Sequence, residues 1–235
     1  MLMTSTASPE TLRKRPLRGL FKHLGKSKSG LALTEFAFSL PIFLGLGMFG
    51  TEMAYLAITS MNVSQAALSL ADNASRMGQT VTGSSSKTIY RSDVNSVFAG
   101  ARLQGDEIDL LENGRVILSS LETTNNGRWQ RIRWQRCIGT KNYSSDYGPQ
   151  GINERNDSSF VGMGPAGEEI RAERGSAVMY VEIFYEYPGL FGDSFVSGQV
   201  IKHEAAFTIR DDRNLAEGVA NDGARNPHCN RFTAS

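Results

Sequence analysis

Apolar residues run almost unbroken from Leu31 to about Ile58, interrupted only by Glu35 and Glu52. No residue between Phe36 and Thr51 is charged. About 20 apolar residues span a bilayer as a helix, so this run predicts a membrane-spanning helix. Past it the pattern stays helical but becomes one-sided. Leu56, Val63, Leu70 and Met77 recur at seven-residue intervals, with Ala66, Ala67 and Ala74 filling the same stripe. One helix from Leu31 to about Met77 is therefore expected, about 70 Å long at 1.5 Å per residue. Gly78 is its expected stop. The outer stripe needs a cover, either the chain's own head or other subunits.

Beyond the helix the period shortens. GQTVTGSSSK (78–87) reads as a linker. Ser92 is placed to cap a short helix carrying Val94, Val97, Phe98 and Ala101 on one side. Asn113-Gly114 lies between apolar runs and Asn126-Gly127 precedes RWQRIRWQRC, which together predict a three-stranded meander. Residues 139–175 are rich in Gly, Asn, Ser and Asp and read as a loop too long for a simple connector. AVMYVEIFYEY (177–187) is the strongest strand. Its Met179, Val181, Ile183, Tyr185 and Tyr187 alternate with a face carrying Glu182 and Glu186. QVIKHEAAFTIR (199–210) is its expected partner, and an irregular polar tail follows from Asp211. The fold class is α+β, a long N-terminal transmembrane helix followed by an antiparallel sheet. Its divisions are a leader at 1–29, the long helix at 30–78, a head at 79–210 and a tail at 211–235.

Charge orients this plan. Residues 1–30 carry seven basic side chains against Glu10 alone, about +6, which leaves about −5 for the rest of a chain whose net charge is +1. The positive-inside rule puts the basic leader in the cytoplasm and the head outside. A cleaved secretory signal is the competing reading, but no short-residue cleavage box follows the apolar run. The only cysteines, Cys137 and Cys229, both fall on the outer side. An oxidising compartment permits one disulfide between them; two unpaired buried thiols are the alternative.

Candidate chemistry changes little. GMGPAG (162–167) matches a dinucleotide fingerprint in letters only, since a polar loop precedes it and Pro165 lies within it. Arg128, Arg131, Arg133 and Arg136 interleave with Trp129 and Trp134, but strand alternation splits the charges between two faces. A solvated strand face with two buried tryptophans is expected there, not a nucleic-acid site. His23, His203 and His228 show no metal-ligand spacing, and the 202–204 stretch is expected at the surface. Neither a nucleophile elbow nor a carboxylate pair stands out. No catalytic residue, metal, cofactor, nucleic acid or small-molecule substrate is expected. Glu52 reads as an interfacial residue in contact with water. Gly47 with Thr51, and Gly50 with Ala54, are small-xxx-small pairs that permit close helix packing.

One constellation is specific. A basic leader ends in Gly30; Leu31-Ala32-Leu33-Thr34, Glu35, Phe36 and Pro41 follow on a long helix that leads to a β-rich head. This resembles the type IV pilin class. More closely, GLALTEFAFSLPIFL, AALSLADNASRMG, VEIFYEYPGLFG and AAFTIR resemble the TadE-like proteins of Tad (Flp) pilus systems, which are pseudopilins involved in pilus assembly. The resemblance covers most of residues 18–210 and is most specific in the anchor. It implies a pilin-like head and cleavage after Gly30 by a prepilin peptidase, with Leu31 as the new N-terminus. It also implies that Glu35 meets the new α-ammonium within a subunit or on a neighbour. Phe36 stands where many prepilins place an aromatic, and Pro41 would bend or locally open the helix. The implied partners are the inner membrane, other Tad pilus subunits and their assembly platform, and the peptidase. Glu35 at headgroup level, with Gly30 a plain boundary residue, is the simpler alternative. An unprocessed envelope scaffold, a membrane-tethered enzyme and a type II secretion pseudopilin are the other classes.

Overall fold

The computed structural model describes residues 29–124, 127–153, 160–192, 195–196 and 198–234. The basic leader, His23 and Asn126 lie outside them. The chain divides into two compact units, 1–50 and 51–235. In the first, the described residues form the start of helix α1, which spans Ser29–Arg76 and contains Pro41. Proline has no N–H to give to the carbonyl one turn back, yet the helix runs through it.

In the second unit α1 continues as a packing element. Val63, Ala66, Ala67, Leu70, Ala71 and Ala74 are all buried, so the predicted stripe is covered by the chain's own head. The alanines let the backbone come close to what they face. The helix ends at Arg76, and Gly78 takes φ 118°, a left-handed turn that glycine adopts without a Cβ penalty. Arg213 supplies a cap that the sequence does not advertise. Its Nη2 donates to the carbonyls of Ala74 (2.9 Å) and Ser75 (2.6 Å), which have no partner further along the helix.

Strands β1 (Gln79–Thr80) and β2 (Lys87–Tyr90) follow, then helix α2 (Arg91–Gly105) and a 3₁₀ turn (Asp106–Ile108). The N-cap of α2 is Tyr90, not Ser92; Asp93 accepts the Tyr90 N–H at 2.8 Å. Val94, Val97, Phe98 and Ala101 form its buried side as the spacing predicts. Strands β3 (Gly114–Thr123), β4 (Gln130–Ile138), β5 (Ala177–Glu186) and β6 (Val200–Thr208) make an antiparallel sheet in the order β4-β3-β5-β6. Strand β7 (Val219–Ala220) runs parallel to β2.

The meander is therefore one hairpin, β3–β4. Asn113-Gly114 makes no hairpin; it leads from the 3₁₀ turn into β3. Gly114 is required for another reason. A Cβ there would stand 2.5 Å from the Leu110 carbonyl oxygen and 2.7 Å from that of Phe184. A glycine that permits close backbone approach looks, in sequence, like a glycine that permits a turn.

The sheet is covered on both sides. Met179, Val181, Ile183 and Tyr185 join the core with α1 and α2. On the other side Phe160, Met163 and Ala172 from the long 139–175 segment pack on Leu121, Ile132, Val178 and Tyr180. That segment is a second cover layer as well as a connector. It explains why Glu182, expected on a polar face, is fully buried. Arg136 is also buried, so the β4 arginines are not simply a solvated face; Trp134 is buried and Trp129 is half-buried.

The tail is tied down. Cys137 and Cys229 form a disulfide. The Cys137 N–H donates to the Pro227 carbonyl, and the Gly139 N–H to that of Thr233.

Candidate functional site

Gly30, Leu31, Glu35 and Phe36 lie on the first two turns or so of α1, and Pro41 lies on the fourth. Gly30 and Leu31 are its second and third residues, and a Cβ on Gly30 would meet nothing within 4 Å. Glu35 is exposed and makes no ion pair among the described residues. Phe36 is 60% exposed and Phe38 80%, and Ile42 and Phe43 are similarly open. Aromatic and aliphatic side chains bared to this extent on every side of a helix need an apolar surrounding. Among the described residues this is the one helix long and apolar enough to cross a membrane. With the disulfide, it fits a chain anchored in a membrane with its head in an oxidising compartment.

Glu52 departs from its expected role. It is not an interfacial carboxylate in water; no part of it is exposed. Tyr187 donates its hydroxyl to Oε1 at 2.7 Å, the Leu190 N–H to the same oxygen at 3.0 Å, and the Phe191 N–H to Oε2 at 3.0 Å. Three donors satisfy the carboxylate without a cation, as buried polar groups require. The carboxylate thereby fastens the turn after β5 to α1. The sequence holds a signal for this, since Glu52 stands four residues before Leu56 on the buried stripe.

A second polar cluster lies beneath the 139–175 segment. Oxygens of Asp146, Glu182 and Glu204 fall within 4.8 Å of one another, a spacing that could hold a cation. Lys202 already supplies the positive charge, with Nζ 2.5 Å from Asp146 and 2.6 Å from Glu204. Tyr147 and Tyr180 donate to the Glu204 carboxylate at 2.8 and 2.9 Å. Lys202 of the stretch read as surface is thus part of an ordered network, and His203 Nε2 lies 2.9 Å from Ser60 Oγ on α1.

Burial pushes the Glu182 carboxyl up to about 7, although the Ser145 hydroxyl and the Asp146 N–H both donate to it. The folded chain therefore holds this proton when the unfolded chain, near 4.5, has released it. Stability falls as pH rises from about 4.5 to about 7. Glu182→Gln keeps an acceptor for the Asp146 N–H, lets the Ser145 hydroxyl rotate to accept from the amide, and removes the charge. It is expected to raise unfolding stability above pH 7 by as much as about 3 kcal/mol, at about 1.4 kcal/mol per pH unit. It is expected to leave stability below about pH 4.5 unchanged. Urea melts of both forms across this range check it; parallel pH profiles would refute it.

The sequence reading placed Glu52 in water and gave Arg115 no role. Arg115 on β3 is fully buried. Its Nη1 donates to the carbonyls of Gly139 (2.8 Å) and Arg231 (2.7 Å), and its Nη2 to that of Cys229 (2.7 Å). The guanidinium also lies 4.5 Å from the centre of the Phe232 ring. Nothing in the local pattern distinguishes it from a solvated strand arginine. No protein-family model matches the chain, and no curated protein or solved structure matches it either.

Proposed function

We propose that this chain is a membrane-anchored minor pseudopilin or assembly factor of a Tad-type pilus. The leader stays in the cytoplasm, α1 crosses the inner membrane and the pilin-like head stands in the periplasm. A prepilin peptidase cuts after Gly30 and leaves Leu31 as the N-terminus. Glu35 then meets the new ammonium of its own or a neighbouring subunit. Pairing offsets the cost of holding a carboxylate at bilayer depth, which is about 3 kcal/mol by translocon scales. The role is structural, with no reaction of its own, and its partners are pilus subunits, the assembly platform and the peptidase.

One observation carries this reading. Gly30, Leu31, Glu35 and Phe36 stand at the head of a bare apolar helix, and the same helix continues as the spine of an α+β head.

N-terminal sequencing from cell envelopes, with and without the cognate peptidase, is the test. The expected start is Leu31 when the peptidase is present and Met1 when it is absent. Glu35→Ala is expected to be processed yet to fail in assembly. A start near Met1 in both strains would overturn the processing step and leave a single-pass envelope scaffold.

A further inference from the structure

We infer that the outer edge of β6 is a dimerisation edge, on which β6 of a second copy adds antiparallel about a two-fold axis at His203 and joins the two four-stranded sheets into one. β6 is the last strand in the order β4-β3-β5-β6. Its register with β5 runs without a break from Val178 opposite Thr208 to Glu186 opposite Val200. The Ile209 N–H donates to the Ala177 carbonyl, and the Tyr187 N–H to that of Gln199. Antiparallel bonding alternates along a strand, so the odd-numbered residues of β6 bond to β5 and the even-numbered ones turn their N–H and C=O outward. The outward residues are Val200, Lys202, Glu204, Ala206 and Thr208. Their backbone groups have no hydrogen-bond partner among the described residues. The next outward N–H, that of Arg210, goes to the Ser75 carbonyl of α1 and ends the open stretch.

The other edge of the sheet is closed. On β4 the Gln135 N–H donates to the Gln150 side chain and the Cys137 N–H to the Pro227 carbonyl. A bare strand edge is a template for another strand, and a bulge, a proline or a projecting lysine usually guards it. β6 has neither bulge nor proline. Its one lysine, Lys202, does not project. Asp146 at 2.5 Å and Glu204 at 2.6 Å hold its Nζ over the sheet, 5.4 Å from the centre of the Phe184 ring on β5.

Charge selects the occupant. Outward residues bond only to outward residues, so each two-fold register is centred on one residue of β6. A centre at Lys202 sets lysine against lysine, and a centre at Glu204 sets glutamate against glutamate; both are unfavourable. A centre at His203 sets Lys202 against the partner's Glu204 and, by symmetry, Glu204 against the partner's Lys202. It also sets Val200 against the partner's Ala206, two apolar side chains. The edge is therefore complementary to itself, as a two-fold contact requires.

The test uses the full chain in detergent micelles, with its native disulfide intact. Across the axis His203 would face its own copy in a non-hydrogen-bonded pair, with Cβ atoms about 4.5–5.5 Å apart. Single cysteines replace Val200, His203, Ala206 and, away from the edge, Val81. After mild oxidation, His203→Cys is expected to run as a covalent dimer on a non-reducing gel, and the other three as monomers. Ala206→Pro removes one outward N–H and leaves the ladder to β5 intact, since the free side of an edge strand tolerates proline. Added to His203→Cys, it is expected to abolish the crosslink. In the unaltered chain, sedimentation is expected to show a dimer, and the Lys202 and Glu204 amide hydrogens to exchange slowly. A crosslink that survives Ala206→Pro would reflect association through another surface and would overturn the inference. Stronger crosslinking at another position would overturn it as well. So would a monomeric unaltered chain, or a dimer whose Lys202 and Glu204 amides exchange freely, whatever the variants do.

Discussion

Replacing Arg115 by alanine is expected to lower the unfolding free energy by about 4 kcal/mol, one of the two largest losses predicted for a single structural feature of the head. Hydrogen bonds to charged groups contribute about 1.5–3 kcal/mol each, and their effects overlap when they share a donor. Arg115 makes three, all to backbone carbonyls and all inside the fold. Two of the acceptors, on Cys229 and Arg231, belong to the tail; the third, on Gly139, belongs to the end of β4. One side chain thus ties the C-terminal segment to the central sheet. Arg115→Met separates packing from bonding, because it fills much of the volume and offers no donor. It is expected to cost about 2–3 kcal/mol, the charge-assisted bonds alone. Arg115→Lys should not rescue it, since one ammonium cannot present the planar fork that reaches three carbonyls. Urea unfolding of the three variants measures this. A loss below about 1 kcal/mol in Arg115→Ala would show that water replaces the guanidinium without cost.

Removing the Cys137–Cys229 disulfide is the second. The crosslink closes a separation of 92 residues. Chain entropy for a loop of that length gives about 4–5 kcal/mol, and measured losses run somewhat lower, so about 3–4 kcal/mol is expected for the Cys137→Ala, Cys229→Ala pair. For a head of this size that is a fall in melting temperature of roughly 10 °C. The same fall should follow reduction of the unaltered chain, and reduction should leave the double variant unchanged. A melting temperature insensitive to reductant would sink the claim. Arg115 and the disulfide hold the same stretch of tail, so combining both losses should cost less than their sum. A tail already released by one change has little left to lose to the other.

How much of this could be read from the chain varies with the range of the interaction. The long helix, its stop at Gly78, the buried side of α2 and the strands at 177–187 and 199–210 follow from local periodicity, and periodicity survives folding. Arg115 and Arg213 do not announce themselves, and Glu52 is marked only by its place four residues before Leu56. Each looks like an ordinary charged residue on a helix, strand or loop. Each is buried because a segment more than a hundred residues away in sequence supplies its partners. Asn113-Gly114 misled for a related reason: the glycine answers a crowding between Leu110 and Phe184 that only the packed sheet creates.

The amino-acid sequence alone determined that a helix with a long uncharged run follows a basic leader, that its outer half carries a small-residue stripe, and that a β-rich head with two cysteines comes after it. Those features depend on the order of polar and apolar side chains, which sets each element's exposed and buried faces before anything packs. The tertiary structure decided which carboxylates are buried, that the 139–175 segment covers a sheet face, and that a disulfide and Arg115 fasten the tail to the sheet. Those depend on which distant groups come within hydrogen-bonding distance, and a linear pattern does not carry that information.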